Sequence, residues 1–180
     1  FRLAELAAAL ECLGVGEHCF LGTPPARTPG RPAREYRDSG MTWLRPGLAG
    51  PADDAEPTSL ARAGVDEPAE DLANLLREWD AQVLLSYAAD GGYGHPDHVA
   101  CHRLAGRASE SAGVRLAEFG TGPAPAGATT YHLGDRLEAV RAALDCYRSQ
   151  LTRVGDQVVH VGGQTEALVT SGWLRERVLP

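Results

Sequence analysis

The stretch "AQVLLSYAADGGYGHPDHVACHRLAGRA", residues 81–108, passes from an apolar run through a cluster of glycines and histidines into a helical pattern. Residues 81–87 read as a buried strand, because the apolar run is short and ends in a turn signal. From Pro96 to Ser111 the spacing of His98, Cys101, His102 and Ala105 reads as a helix. "GGYGHPDH", residues 91–98, therefore falls where a strand hands over to a helix. In an open α/β sheet, ligands bind beyond the carboxyl ends of the strands. Glycines there let the backbone turn sharply or approach a ligand closely. His95 and His98 can face one point at the helix start, and Asp97 can orient one of them. A glycine-rich turn capped by Asp97 is the plainer alternative; the concentration of titratable groups favours a site.

Outward from this stretch, Leu3, Leu6, Leu10 and Leu13 mark a helix that Gly14 stops. "EHCFLG" reads as a short strand over 17–21, and residues 23–65 as a long loop rich in Pro, Gly and Asp. Such a loop in a compact domain is functional or disordered. Residues 66–80 predict a helix with Asp66 or Glu67 near its N-cap and Pro68 in its first turn. Leu72, Leu75, Leu76 and Trp79 form its core face. "GVRLAEF" reads as a strand, and "GDRLEAVRAALDCYRSQ" as an amphipathic helix with Asp135 as a cap. "QVVHVGGQTEALVTSG" reads as a hairpin turning at Gly162-Gly163. Helices alternating with short apolar strands predict an α/β fold with a mostly parallel sheet and right-handed crossovers.

At 180 residues, one domain is the expectation. A net charge of −7 argues against nucleic acid or an anionic membrane surface as partner. No apolar run approaches the ~20 residues of a membrane span, and a cytoplasmic location is the default reading. All 17 basic residues are arginine, so no lysine of these residues serves as a base or Schiff-base former. Cys12, Cys19, Cys101 and Cys146 lack CxxC spacing and read as reduced thiols.

"GGYGHPDHVACHRLAGRA", residues 91–108, resembles the second signature of the LmbE/PIG-L family of zinc-dependent deacetylases. "YRDSGM", residues 36–41, is similar to the matching loop of that family's mycothiol-pathway branch. "RLAELAAALECLGV", the region around Val65-Asp66, "RAALDCYRSQ" and the closing hairpin follow in the expected order. The resemblance implies a Rossmann-like fold and hydrolysis of the N-acetyl group of a small amino-sugar conjugate, GlcNAc-inositol or similar. It implies a Zn2+ cofactor, with Fe2+ suited to the same N/O ligands. Zinc would supply hydroxide at neutral pH and polarise the amide, worth several kcal/mol. By position, His98 is implied as the metal ligand. His95 would stabilise the tetrahedral intermediate and protonate the leaving amine, with Asp97 holding its tautomer. Tyr93 would polarise the scissile carbonyl, and Arg37 and Asp66 would recognise inositol and sugar hydroxyls. A homo-oligomer is left open.

The family's other motif, His-Pro-Asp-Asp-Glu, is implied to supply two zinc ligands and the general base, and it is not found in these residues. "PADDAE", residues 51–56, lacks the histidine and reads as a solvated acidic loop. The expectation is that a strand-helix-strand piece bearing the motif precedes Phe1. Tyr147 stands where relatives often carry histidine, and the stretch between Val114 and Leu133 is short for the mycothiol branch. Two alternatives therefore stand beside the deacetylase: an amidase of mycothiol conjugates, and a non-catalytic sugar-binding domain. His102 reads as packed rather than as a second ligand with His98. Trp43 reads equally as a sugar wall or a loop anchor.

Overall fold

The computed structural model describes residues 1–177. In chain order the elements are α1 (Arg2–Leu13), β1 (Met41–Arg45), β2 (Leu48–Pro51), α2 (Asp66–Glu78) and β3 (Val83–Tyr87). Then come α3 (Gly91–Gly94, one distorted turn), α4 (Pro96–Ala112), β4 (Arg115–Gly120), β5 (Thr129–His132) and α5 (Leu137–Asp145). The chain closes with β6 (Leu151–Val154), β7 (Gln157–His160), β8 (Thr165–Ala167) and β9 (Ser171–Arg177). They form two compact units, one of residues 19–130 with the strand from Trp173, the other of residues 1–18 and 131–172.

In the first unit α4 packs on β3 and β4 of a sheet of order β3-β4-β9-β5, and α2 packs on α4. Ala69, Ala73 and Leu76 of α2 meet Leu104 and Ala108 of α4, with Val114 and Leu84 joining the cluster. Alanines at this helical spacing let the two helices approach closely. β3 and β4 pair in parallel from Val83↔Arg115 to Tyr87↔Phe119, as the intervening helix α4 requires. β4 and β9 pair antiparallel, from Leu116↔Arg177 to Gly120↔Trp173. The sheet is thus mixed, not mostly parallel. The strands after α5 follow one another through turns with no helix between them, and turns return a chain antiparallel.

Other expectations are corrected. Residues 17–21 form no strand. Val83 and Leu85 are exposed, so β3 buries one face only. Asp66 and Glu67 do lie beside the N-cap of α2, which is Val65, in the first turn where the helix's partial positive charge favours them. Trp79 is 43% exposed, because α2 ends at this residue and the core stripe ends with it. Asp135 makes no cap; it sits in the 3-10 turn Gly134–Arg136, and α5 stops at Asp145.

The long segment 23–65 is not featureless. Its first half is tied to α2 by charge. Asp71, fully buried, accepts from Thr28 N (2.7 Å), Thr28 Oγ1 (2.8 Å), Arg27 Nη1 (2.8 Å) and Tyr36 Oη (3.0 Å). Arg27 also meets Glu67 at 2.9 Å, and Arg34 pairs with Glu67 while lying over the Tyr36 ring. Its second half folds into the β1–β2 hairpin, Met41↔Pro51 to Arg45↔Leu48.

In the second unit α1 ends at Gly14 in the left-handed conformation, and Glu5 accepts from Ser149 N (2.7 Å) and Oγ (2.6 Å). β6, β7 and β8 form an antiparallel sheet, β7 and β8 pairing across the Gly162-Gly163 turn.

Candidate active site at the start of α4

β3 ends at Tyr87, and the chain then turns through Asp90, whose Oδ1 accepts from Gly92 N at 3.0 Å. Gly91, Gly92 and Gly94 all have positive φ (61°, 78° and 83°). At Gly94 a Cβ would stand 2.7 Å from the Ala49 carbonyl oxygen of β2, so the hairpin lies directly on the turn. Gly94→Ala combines this clash with a left-handed backbone, and is expected to lose about 1–3 kcal/mol of stability. Urea unfolding checks it; a midpoint equal to wild type would refute the close approach.

His95 caps α4. Its Nδ1 accepts from Asp97 N at 3.2 Å, with Pro96 opening the helix. The neutral ring therefore carries its proton on Nε2. His98 is arranged the other way. Its Nδ1 lies 3.1 Å from the Gly91 carbonyl, which can only accept, so Nδ1–H donates and Nε2 keeps its lone pair. Burial lowers the His98 pKa; neighbouring His95 pulls it the same way, while the Gly91 bond and Asp97 oppose the shift. His98 is held neutral at pH 7. The two rings stack at 4.7 Å, and His98 stacks on Tyr87 at 4.0 Å and 6°. Tyr93 stands edge-on to both, 6.0 Å from His95 and 5.6 Å from His98. A ring N–H donor, a ring lone pair and a tyrosine are thus gathered at the start of α4.

The Asp97 carboxylate is turned to Ser39, accepting from its N (3.0 Å) and from its Oγ. The main chain of Asp97, not its carboxylate, engages His95. Ser39 is buried and also accepts from Ala61 N at 2.9 Å. Arg37, two residues earlier, is half exposed near Glu56 (3.5 Å) and Glu35 (3.6 Å). Asp66 is not brought to the histidines. It pairs at 2.6 Å with Arg107, which lies about 14 Å of helix rise beyond His98. His102 is packed, its Nδ1 at 3.1 Å from the Tyr87 carbonyl and 3.5 Å from Glu118.

Asp38, His95 and Asp97 form a group that could hold a metal ion, one ligand atom of each lying within 4.8 Å of the others. His98 suits a metal ligand by itself, a neutral imidazole with its second nitrogen bonded to a carbonyl. A catalytic zinc takes three protein ligands. Among the described residues that shell is not assembled around His98. Sequence reading missed Ser39, Asp38 and the buried Asp71. Asp38 and Ser39 lie in the quoted loop of residues 36–41, and Asp71 left a signal as a carboxylate one turn before Leu75 on the apolar face of α2.

A family model described as GlcNAc-PI de-N-acetylase (PIG-L) matches residues 1–109. The chain belongs to the PIG-L/LmbE family. It is 48% identical over 107 residues to the 1D-myo-inositol 2-acetamido-2-deoxy-alpha-D-glucopyranoside deacetylase of Kineococcus radiotolerans, covering 59% of this chain and 28% of that protein. Proteins of the same name match from Saccharopolyspora erythraea (43% identity; 58% of this chain, 31% of the relative) and Kribbella flavida (43%; 68% and 38%). The match thus spans between 28% and 38% of these PIG-L relatives' own length. Among the described residues, no helix is long and apolar enough to cross a membrane.

Proposed function

We propose that this PIG-L chain contributes to hydrolysis of the acetamide of an N-acetylglucosamine conjugate, GlcNAc-inositol or a close analogue, releasing acetate and a free amine. The observation that carries it is the opposite polarity of two stacked histidines: Nε2–H on His95, a lone pair on His98. A donor facing the developing oxyanion contributes roughly 2.7–4 kcal/mol. In this reading His95 donates a hydrogen bond through Nε2–H to that oxyanion, and Tyr93 polarises the carbonyl. His98 contributes one ligand to a divalent metal, Zn2+ or Fe2+. Arg37 meets inositol hydroxyls. Asp66, beside Arg107, is left outside the site.

Asp97 acts here through Ser39, by fastening the Arg37 loop to the start of α4. Asp97→Asn replaces one acceptor by an amide N–H that faces a donor. It is expected to reduce kcat/KM about tenfold or more while metal stays bound. Ser39→Ala should reproduce part of the loss. Metal loss in Asp97→Asn would mean instead that the carboxylate is a ligand.

The absence of a three-ligand shell around His98 among the described residues favours a second reading, sugar binding without turnover. The experiment that separates the two uses the protein expressed from its full gene, with 1D-myo-inositol 2-acetamido-2-deoxy-α-D-glucopyranoside and added Zn2+. Amine release supports the deacetylase. Saturable binding without release supports the sugar-binding reading, and the absence of both binding and release would overturn both readings.

A further inference from the structure

We infer that Trp43 is a stacking platform for the pyranose ring that carries the acetamide. The inference rests on the deacetylase reading and adds to it the surface that recognises the sugar.

Trp43 stands on β1, in a hairpin attached to the site at three points. Ser39, just before β1, is bonded to Asp97. The β2 backbone at Ala49 lies so close to Gly94 that no side chain fits there. Trp43 itself packs on Tyr93, with ring centroids 5.7 Å apart and planes at 31°. These contacts make the hairpin a fixed wall beside the histidines, and sites on fixed elements position ligands better than mobile loops.

The contact with Tyr93 does not consume the indole. Trp43 remains 46% exposed, although its cross-strand partner Ala49 is buried and small. Leu44, the next residue, points to the other face of the strand and folds back over Gly50. A large apolar ring is thus left open on the side of the hairpin that meets Tyr93. A pyranose suits such a surface. Its axial C–H bonds make an apolar face whose partial positive charge complements the negative face of an aromatic ring. Hydroxyls at its rim remain free for polar groups, as in most ligand sites.

Geometry also selects which ring is held. The acetamide carbonyl has to lie against Tyr93 and His95 for the proposed chemistry. A sugar ring bearing that acetamide, placed beside Tyr93, is the part of the substrate that reaches Trp43. The inositol lies a glycosidic bond further away.

Calorimetric titration of the full gene product tests this, with N-acetylglucosamine, myo-inositol and the intact conjugate as separate probes. Trp43→Ala is expected to weaken N-acetylglucosamine and the conjugate by the same factor, roughly tenfold, with myo-inositol unchanged. Trp43→Phe should restore most of the affinity, which a simple loss of hairpin structure would not allow. In turnover, KM should rise with little change in kcat. Equal affinities of wild type and Trp43→Ala for N-acetylglucosamine would overturn the platform while leaving the deacetylase reading intact. A loss confined to the conjugate or to myo-inositol would also overturn it. If the wild-type protein bound no probe and released no amine, the parent reading would fall, and the platform with it.

Discussion

Replacing His98 with alanine is expected to abolish deacetylation and metal retention in the full gene product while leaving the fold in place. The ring is oriented by its Nδ1–H bond to Gly91 and by stacking on Tyr87, so its Nε2 is presented at one position. Burial keeps it neutral, the form that can ligate. Alanine removes the ligand, and His102 cannot take its place because it is engaged with the Tyr87 carbonyl. A metal-dependent step worth several kcal/mol corresponds to a loss of about a thousandfold or more in rate. Stability should fall only by about 0.5–1.5 kcal/mol, the worth of an aromatic pair. Metal per chain by atomic emission, initial rates and circular dichroism together check this. Full metal content with wild-type turnover in His98→Ala would remove His98 from the site.

The largest effect on stability is expected at Asp71. Its carboxylate is buried and accepts four bonds, from Thr28 N, Thr28 Oγ1, Arg27 and Tyr36. Truncation to alanine leaves the Arg27 guanidinium buried without this partner and loosens residues 26–36, which then hold α2 through Glu67 and Glu70. Breaking a buried pair from one side costs about 3–5 kcal/mol, a large share of a typical domain's 5–15 kcal/mol. Urea unfolding of Asp71→Ala should show that loss, and proteolysis should cut within residues 26–36. A shift below about 1 kcal/mol would mean that the network is dispensable.

The same network sets a pH dependence. Burial alone would raise the Asp71 pKa, but the Thr28, Arg27 and Tyr36 donors outweigh it and hold the carboxyl below its ordinary value. Its contribution to stability is therefore present above the unfolded value near 4 and is lost as pH falls through the lower folded one. Burial first, then the bond to Asp71, pushes Tyr36 up to about 12. Its contribution is present below the unfolded pKa of about 10 and is lost as pH rises from there toward 12. Stability of the wild type should fall on both sides; Asp71→Ala should flatten the acid limb and reduce the alkaline one only in part.

Local pattern carried much of this molecule. The leucine stripes specified α1, with Gly14 as its stop, and most of α2. The 81–108 stretch marked a strand, a glycine turn and the helix α4 in order, because each signal is made by residues adjacent in sequence. The same stretch placed His95, Asp97 and His98 together, since a turn and the first helical residues bring near neighbours to one point. Its likeness to the PIG-L family was legible for the same reason.

Only the tertiary structure decided what those residues do with one another. That His95 accepts and His98 donates through Nδ1 depends on the positions of one amide and one carbonyl, which no spacing reveals. Spacing leaves open which histidine Asp97 orients, and the resemblance pairs it with His95; its carboxylate meets Ser39, 58 residues away. The β1–β2 hairpin escaped detection because Met41–Arg45 and Leu48–Pro51 alternate weakly and are stabilised by packing on Gly94. The antiparallel pairing of β9 with β4, the burial of Asp71 beneath residues 26–36, and the approach of Trp43 to Tyr93 are likewise long-range. Their free energy comes from surfaces joined across many residues, so no local window of sequence contains it.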